Sequence, residues 1–341
     1  MFNNKDIEQF LSTIFDDLDS DEKSLLLSSI MNLVKIYTLQ PSNSDLKLVN
    51  TTLEELKNSI STFLEYRGSK KVGIFGSART KPDNPNYKMT KVISEKLTKL
   101  GYYIITGAGP GIMEAGNAGA DKEMSFGLNI KLPFEQKPNK YIINDPKLLD
   151  YKYFFIRKLF FVRESDATII FPGGFGTHDE AFEILTLIQT GCCAPRPTIF
   201  MTHPKSKYWE RWADYINQEF IEKQYISPQD MDIFTLTNNV DVAVKEIELF
   251  YKYYHSVRYL DDYAVLRYNQ HLHPKTLKEI NKEFKHLLKS GEFEEVHPSL
   301  IQKERNMLQD KTRLTFKFNK MNYGGLCQLL KRINQLEESQ Q

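Results

Sequence analysis

Between Pro172 and Glu180 the chain reads P-G-G-F-G-T-H-D-E, which sets three glycines and a threonine hydroxyl about one helical turn ahead of a carboxylate. Glycine permits positive φ and close approach of a ligand to the main chain, and the free N–H groups at a helix start attract anions. On that reading Thr177 and the amides of Gly174, Phe175 and Gly176 hold a phosphate, and Glu180 faces the sugar attached to it. The same letters fit a capping box, in which Thr177 caps a helix and Glu180 returns to the Thr177 N–H. The two readings compete for one hydroxyl and the same amides, and residue types leave both open.

Cations lie just upstream in Y-F-F-I-R-K-L-F-F-V-R-E, residues 153–164. Its aromatic and aliphatic residues fill a buried helical face, so Arg157, Lys158 and Arg163 form either a solvated stripe or, at the inner edge, an arm reaching toward the glycine loop. Two more glycine loops, G-S-A-R-T from Gly76 and G-A-G-P-G from Gly107, also follow strand-like runs. Three such loops at strand ends point to a phosphate-bearing ligand. The second gives G-x-G-x-G with no acidic residue ending a further strand some twenty residues on, and G-x-x-x-x-G-K-[ST] is absent, so a mononucleotide fits better than NAD or ATP. His178 and Asp179 occupy the two positions between Thr177 and Glu180, and His178 titrates near neutrality in its ordinary state.

The elements that must place these loops follow from periodicity. Strand-like runs begin at Lys71, Tyr102, Phe126, Ala167, Pro197 and Asp232, and they alternate with helical patterns over Tyr87–Leu100, within the loop and helix of Gly107–Asp121, over about Leu149–Arg163, up to Thr190, around Trp209–Phe220 and through Tyr251. That alternation predicts a doubly wound, Rossmann-like parallel sheet covered by helices on both faces, spanning residues 70–254. Residues 1–69 read as a helical N-terminal extension, broken near L-Q-P-S-N-S-D. Residues 255–341 read as an α+β C-terminal extension, mostly helical, with one alternating stretch, T-R-L-T-F-K-F, and a terminal helix.

Forty-five basic and 44 acidic residues among 341 leave a net charge of +1, which supplies no electrostatic reason to expect nucleic acid as a partner. Three cysteines, two adjacent at Cys192 and Cys193, match neither a disulfide framework nor a zinc spacing. No stretch approaches the roughly eighteen apolar residues of a membrane span. A cytoplasmic protein without a metal site is expected.

V-G-I-F-G-S-A-R-T, T-G-A-G-P-G-I-M-E-A-G-N-A-G-A, G-L-N-I-K-L-P, Y-F-F-I-R-K and S-D-A-T-I-I-F-P-G-G-F-G-T-H-D-E, in that order, resemble the Lonely Guy family of nucleotide phosphoribohydrolases, especially its longer bacterial members. The resemblance implies hydrolysis of the N-glycosidic bond of a nucleoside 5′-monophosphate, AMP or another purine nucleotide, to free base and ribose 5-phosphate. It makes Arg157 and Glu180 the catalytic pair. It gives the 5′-phosphate to Gly173, Gly174, Phe175, Gly176 and Thr177, and further substrate contacts to Ser77, Gly107, Gly109 and Gly111, with Met113, Glu114 and Lys158 completing the set. It also implies a homodimer or larger homo-oligomer and no cofactor; such proteins are often labelled lysine decarboxylases, but nothing in these residues calls for pyridoxal phosphate. Two alternatives stand beside it: a cytokinin riboside monophosphate hydrolase, and a sensor or carrier that binds a nucleotide without turnover.

Overall fold

The computed structural model describes residues 19–133, 137–304 and 306–340, and divides the chain into a unit ending at Asn58 and a unit from Ser59 to Gln341. The first holds helix α1, Ser20–Thr38, and most of helix α2, Asn43–Leu64. Asp19 caps α1 through a capping box with Glu22, the arrangement that its D-x-x-E spacing favours. No helix among the described residues is long and apolar enough to cross a membrane.

The second unit is built on seven parallel strands in the order β4-β3-β2-β1-β5-β6-β7. Their ranges are β1 Lys71–Phe75, β2 Tyr103–Thr106, β3 Ser125–Ile130 and β4 Leu148–Tyr151, then β5 Ala167–Ile170, β6 Thr198–Met201 and β7 Thr235–Thr237. Strands buried on both faces read as continuous apolar runs, and β1, β3, β5 and β6 are buried at every position. Helices α3 (Pro85–Lys99), α4 (Ile112–Ala120) and α8 (Val240–Tyr253) cover one face, where Ile93, Leu97, Ile112 and Ile247 pack on Val72, Ile74, Ile169 and Ile199. On the other face α5 (Phe154–Glu164) brings Phe161 to 4.7 Å from Phe75, and α7 (Tyr208–Ile216) stacks Trp212 on Phe200.

The chain winds outward from β1 to β4, then returns to lay β5 on the other side of β1, with Val72 paired to Ala167. Strand order therefore reverses between β1 and β5, which is where an open α/β sheet presents its crevice. The expected doubly wound architecture is observed.

Two expectations fail locally. The helical pattern from about Leu149 begins with β4, whose Leu149 and Tyr151 are buried and whose Asp150 accepts from Asn129 of β3; the helix starts only at Phe154. Four residues are too few for a period to declare itself, so pairing with β3 decides their state. The C-terminal region also holds more strand than its charged pattern predicts. β8 (Tyr254–Leu260), β9 (Tyr263–Tyr268), β10 (Leu288–Val296) and β11 (Thr312–Phe318) form an antiparallel sheet, order β10-β11-β9-β8. Leu266, Tyr268, Leu314, Phe316 and Phe318 face one core with α9 (Pro274–Glu283) and α10 (Tyr323–Glu338).

Candidate functional site

Three loops meet above the β1–β5 switch point. The Ser77 N–H donates to the Pro172 carbonyl at 3.1 Å, and the Ser77 carbonyl accepts from the Ile112 N–H at 3.1 Å. One residue thus ties the loop after β1 to the loops after β5 and β2. Gly111 permits this approach: its φ is +70°, and a side chain there would lie 2.3 Å from the Ser77 carbonyl oxygen.

The loop after β5 runs straight into α6, Phe175–Gln189, whose N-cap is Gly174 with no side-chain cap. The Thr177 and His178 N–H groups both return to the Gly174 carbonyl, at 3.0 and 3.2 Å. The capping-box reading therefore fails, because the helix begins before Thr177 and the Thr177 N–H already has its acceptor. Gly174, Phe175 and Gly176 are exposed, so the helix start faces solvent with its polar main chain uncovered by side chains. Gly173 is required by contact: a methyl group there would stand 2.0 Å from Thr177 Oγ1.

One turn into α6, Glu180 is 4% exposed and accepts from Arg157 Nη2 at 2.8 Å. Arg157 comes from α5, is flanked by the Phe154 and Phe161 rings, and keeps a buried Nε with no hydrogen-bond partner. Its Nη1 also borders the second glycine loop, 3.9 Å from where a Gly107 side chain would stand, and Met113 Sδ fills the nearer side at 2.7 Å. Burial raises the Glu180 carboxyl above its ordinary value, while Arg157 and then Lys158 pull it back. Arg157, Glu180, Met113, Gly107, Gly173 and Thr177 are thus brought into one neighbourhood.

Other expected residues have protein partners of their own. Lys158 turns to the flank of α6, at 3.0 Å from Asp179 and 2.9 Å from Glu183; desolvation opposes its charge, but these carboxylates raise its pKa on balance. Glu114 bonds the Tyr87 hydroxyl, whose pKa rises to about 12 through burial first and the Glu114 charge second. Ser77 Oγ accepts from the Arg79 N–H. Gly109 belongs to a buried polar network: Asn139 Nδ2 donates to the Gly109 and Ala108 carbonyls at 3.1 Å each and to Asn117 Oδ1 at 2.9 Å. Thr106 Oγ1 joins Asn117 and accepts from the Ala108 N–H. Ala108 sits at φ +59°, a conformation costly for a residue with a Cβ, and this network holds it there. Asn139 was invisible in the pattern, since nothing in its neighbours distinguishes it from a loop asparagine. Tyr208, which bonds the Gly173 carbonyl, was equally hidden in an amphipathic helix. Among the described residues no group of side chains forms a metal-binding cluster.

Residues 110–247 match the family model described as "possible lysine decarboxylase", a span that includes Arg157 and the whole of Pro172–Glu180. No curated protein matches the chain. Among solved structures, the structural-genomics target TM1055 is 23% identical, with 52% of this chain and 98% of that chain covered and a TM-score of 0.39. A molybdenum cofactor binding protein from the phototrophic bacterium Rippkaea orientalis is 17% identical, covering 53% of this chain and 97% of that one, with a TM-score of 0.38. DNA processing protein A from Helicobacter pylori is 16% identical, covering 52% and 79%, with a TM-score of 0.34.

Proposed function

We propose that this chain is a nucleoside 5′-monophosphate phosphoribohydrolase, acting on AMP or another purine nucleotide to give free base and ribose 5-phosphate. The observation that carries this reading is the buried Arg157–Glu180 pair, at 2.8 Å, one turn inside a helix whose start has no side-chain cap. A pure anion binder gains little from a buried carboxylate one turn from the helix start that would hold its phosphate, whereas glycoside hydrolysis needs one.

Cleavage of a ribosyl bond passes through a transition state with positive charge on the sugar. The Glu180 carboxylate stabilises that charge and orients the attacking water, which delivers its oxygen to the anomeric carbon as the bond to the base breaks with its electron pair. The attacking water gives up one proton and the departing base takes one up from solvent, so the sum is the addition of one water across the bond. Arg157 stays protonated and is a poor general acid, so it holds Glu180 in place and offers its remaining N–H groups to the phosphate or the leaving base. The 5′-phosphate lies on the Gly173–Thr177 segment, with Ser77, Gly107, Gly109, Gly111, Met113 and Glu114 around the rest of the nucleotide. Lys158 acts from outside, by fixing α6.

In the same reading the protein is cytoplasmic and works as a homodimer. Phe154, Phe155 and Leu159, each about half exposed, lie on the helix that carries Arg157 and supply an apolar face for a second copy.

The test is to incubate the purified protein, without metal or pyridoxal phosphate, with AMP, GMP, CMP, UMP and N6-isopentenyl AMP, and to follow free base by chromatography. Base release from AMP or GMP supports the proposal, and preference for the isopentenyl nucleotide redirects it to cytokinin precursors. Tight AMP binding without release would replace the hydrolase by a carrier, and neither binding nor release would overturn both.

A further inference from the structure

Tyr208 Oη lies 2.6 Å from the Gly173 carbonyl oxygen and 2.7 Å from His178 Nε2. A carbonyl only accepts, so the single phenolic proton points to Gly173. The phenol oxygen then accepts from the imidazole, which requires the proton of His178 on Nε2. Chain direction is thereby defined: His178 donates to Tyr208, and Tyr208 donates to Gly173.

This chain orients one peptide group. No peptide bond among the described residues is cis, and in a trans peptide the N–H points opposite to the C=O. With the Gly173 carbonyl turned toward Tyr208, the Gly174 N–H turns away from it. Tyr208 begins α7, the helix that follows β6, and β6 lies on the side of β5 remote from β1. Away from Tyr208 therefore means toward β1, where Ser77 N would stand 3.0 Å from a side chain on Gly173. Glycines at 173 and 174 leave this peptide free to flip in a way most residues would resist, so the orientation needs an external hold.

We infer that His178 and Tyr208 are positioning residues that lock the Gly173–Gly174 peptide with its N–H toward the crevice, and so set the affinity for the phosphate group of the ligand. The inference rests on the phosphate-loop reading given under the proposed function. It assigns positioning roles to two side chains: His178 packs on Trp209 with ring centroids 5.7 Å apart, and Tyr208 meets the carbonyl side of the loop. Packing alone would ask for a ring at 178. The relay asks for an N–H donor.

The full-length protein and three variants, Tyr208→Phe, His178→Leu and His178→Gln, are titrated calorimetrically with ribose 5-phosphate and assayed for base release. Tyr208→Phe and His178→Leu are expected to weaken ribose 5-phosphate about 5- to 10-fold, as one lost hydrogen bond does, and to raise KM by the same factor with kcat within about twofold. His178→Gln keeps an N–H near the Nε2 position and is expected to return affinity to within about twofold. Unchanged affinity in Tyr208→Phe and His178→Leu overturns the inference, and so does a His178→Gln variant as weak as His178→Leu, since ring packing would then be the cause. A wild-type protein that neither binds ribose 5-phosphate nor releases base fails earlier, at the phosphate reading itself, and takes the inference with it.

Discussion

Arg157 and Glu180 join α5 to α6, the helices that enter and leave β5, through a bond of 2.8 Å between side chains only 12% and 5% exposed. A buried charge pair of this kind is destabilising to break by one side, because the partner is left uncompensated. Glu180→Gln preserves shape and a hydrogen-bond acceptor for Arg157. It leaves the Arg157 charge uncompensated, so it is expected to fold with a melting temperature several degrees lower and to keep nucleotide affinity, while lowering base release by about 10² to 10³. Calorimetry and chromatography on the same sample check this. Loss of the fold would assign Glu180 a structural duty instead.

The pH profile follows from the same pair. Burial raises the Glu180 carboxyl above the usual carboxylate value, with Arg157 the main opposing influence. In the proposed mechanism the working form is ionised, so activity falls as pH drops through that raised value, and the acid limb of kcat/KM is expected at higher pH than for an exposed glutamate. Arg157→Gln removes the opposing charge. Its residual activity is expected to show an acid limb at still higher pH, and a limb that stays put or moves down would contradict the assignment.

Two neighbouring glycines make opposite predictions. A methyl group at Gly173 meets Thr177 Oγ1 at 2.0 Å, whereas one at Gly174, whose φ is −91°, meets nothing within 4 Å. Gly173→Ala is expected to abolish binding of AMP and to lower the melting temperature. Gly174→Ala is expected to fold with a melting temperature near that of the parent. Equal behaviour in thermal melts would show that the loop yields to a methyl group at Gly173.

Asn139 anchors the strained loop. Asn139→Ala strips two carbonyls and Asn117 of a buried donor, a loss of about 1–3 kcal/mol. Urea unfolding is expected to register it, and a change within error would relocate the hold on Ala108 to Thr106.

Phosphate dependence is the remaining check. Adenosine lacks the group that the helix start is read as holding, so its cleavage is expected to be sharply weaker than that of AMP in the same assay. Comparable rates would remove the phosphate loop from the mechanism.

Apolar runs such as Val72–Phe75 and Ala167–Phe171 announce buried strands because both faces of each are covered, and the glycines at 76, 107 and 173 mark where those strands end. Most of the α/β core was legible for that reason. The start of α6 was not, since T-H-D-E fits a capping box as well as a helix already under way, and only the Gly174 carbonyl decides between them. Among the C-terminal strands β11 was visible as the alternating stretch T-R-L-T-F-K-F, but β9 hid for another reason. Val265 and Arg267 of β9 are buried along with Leu266, and Glu304 crosses the outer face of the sheet to meet Arg267 and Arg313; coverage on both sides of β9 erased the alternation that reveals a half-buried strand. Asn139 and Tyr208 act through contacts 31 and 35 residues away along the chain, a distance at which no spacing rule operates.

The pairing of β1 with β5 also governs when the crevice comes into being. The Lys71 N–H is bonded to Asp166, 95 residues later, so the switch point is closed by one of the long-range contacts that folding makes slowly. During synthesis the loops at Gly76 and Gly107 emerge well before Pro172, and until β5 docks they border an incomplete sheet edge. Arg157 is made before Glu180 and waits for it. A nascent or partly opened molecule, lacking β5, therefore has two of the three glycine loops but not the β1–β5 crevice on which the proposed nucleotide binding depends.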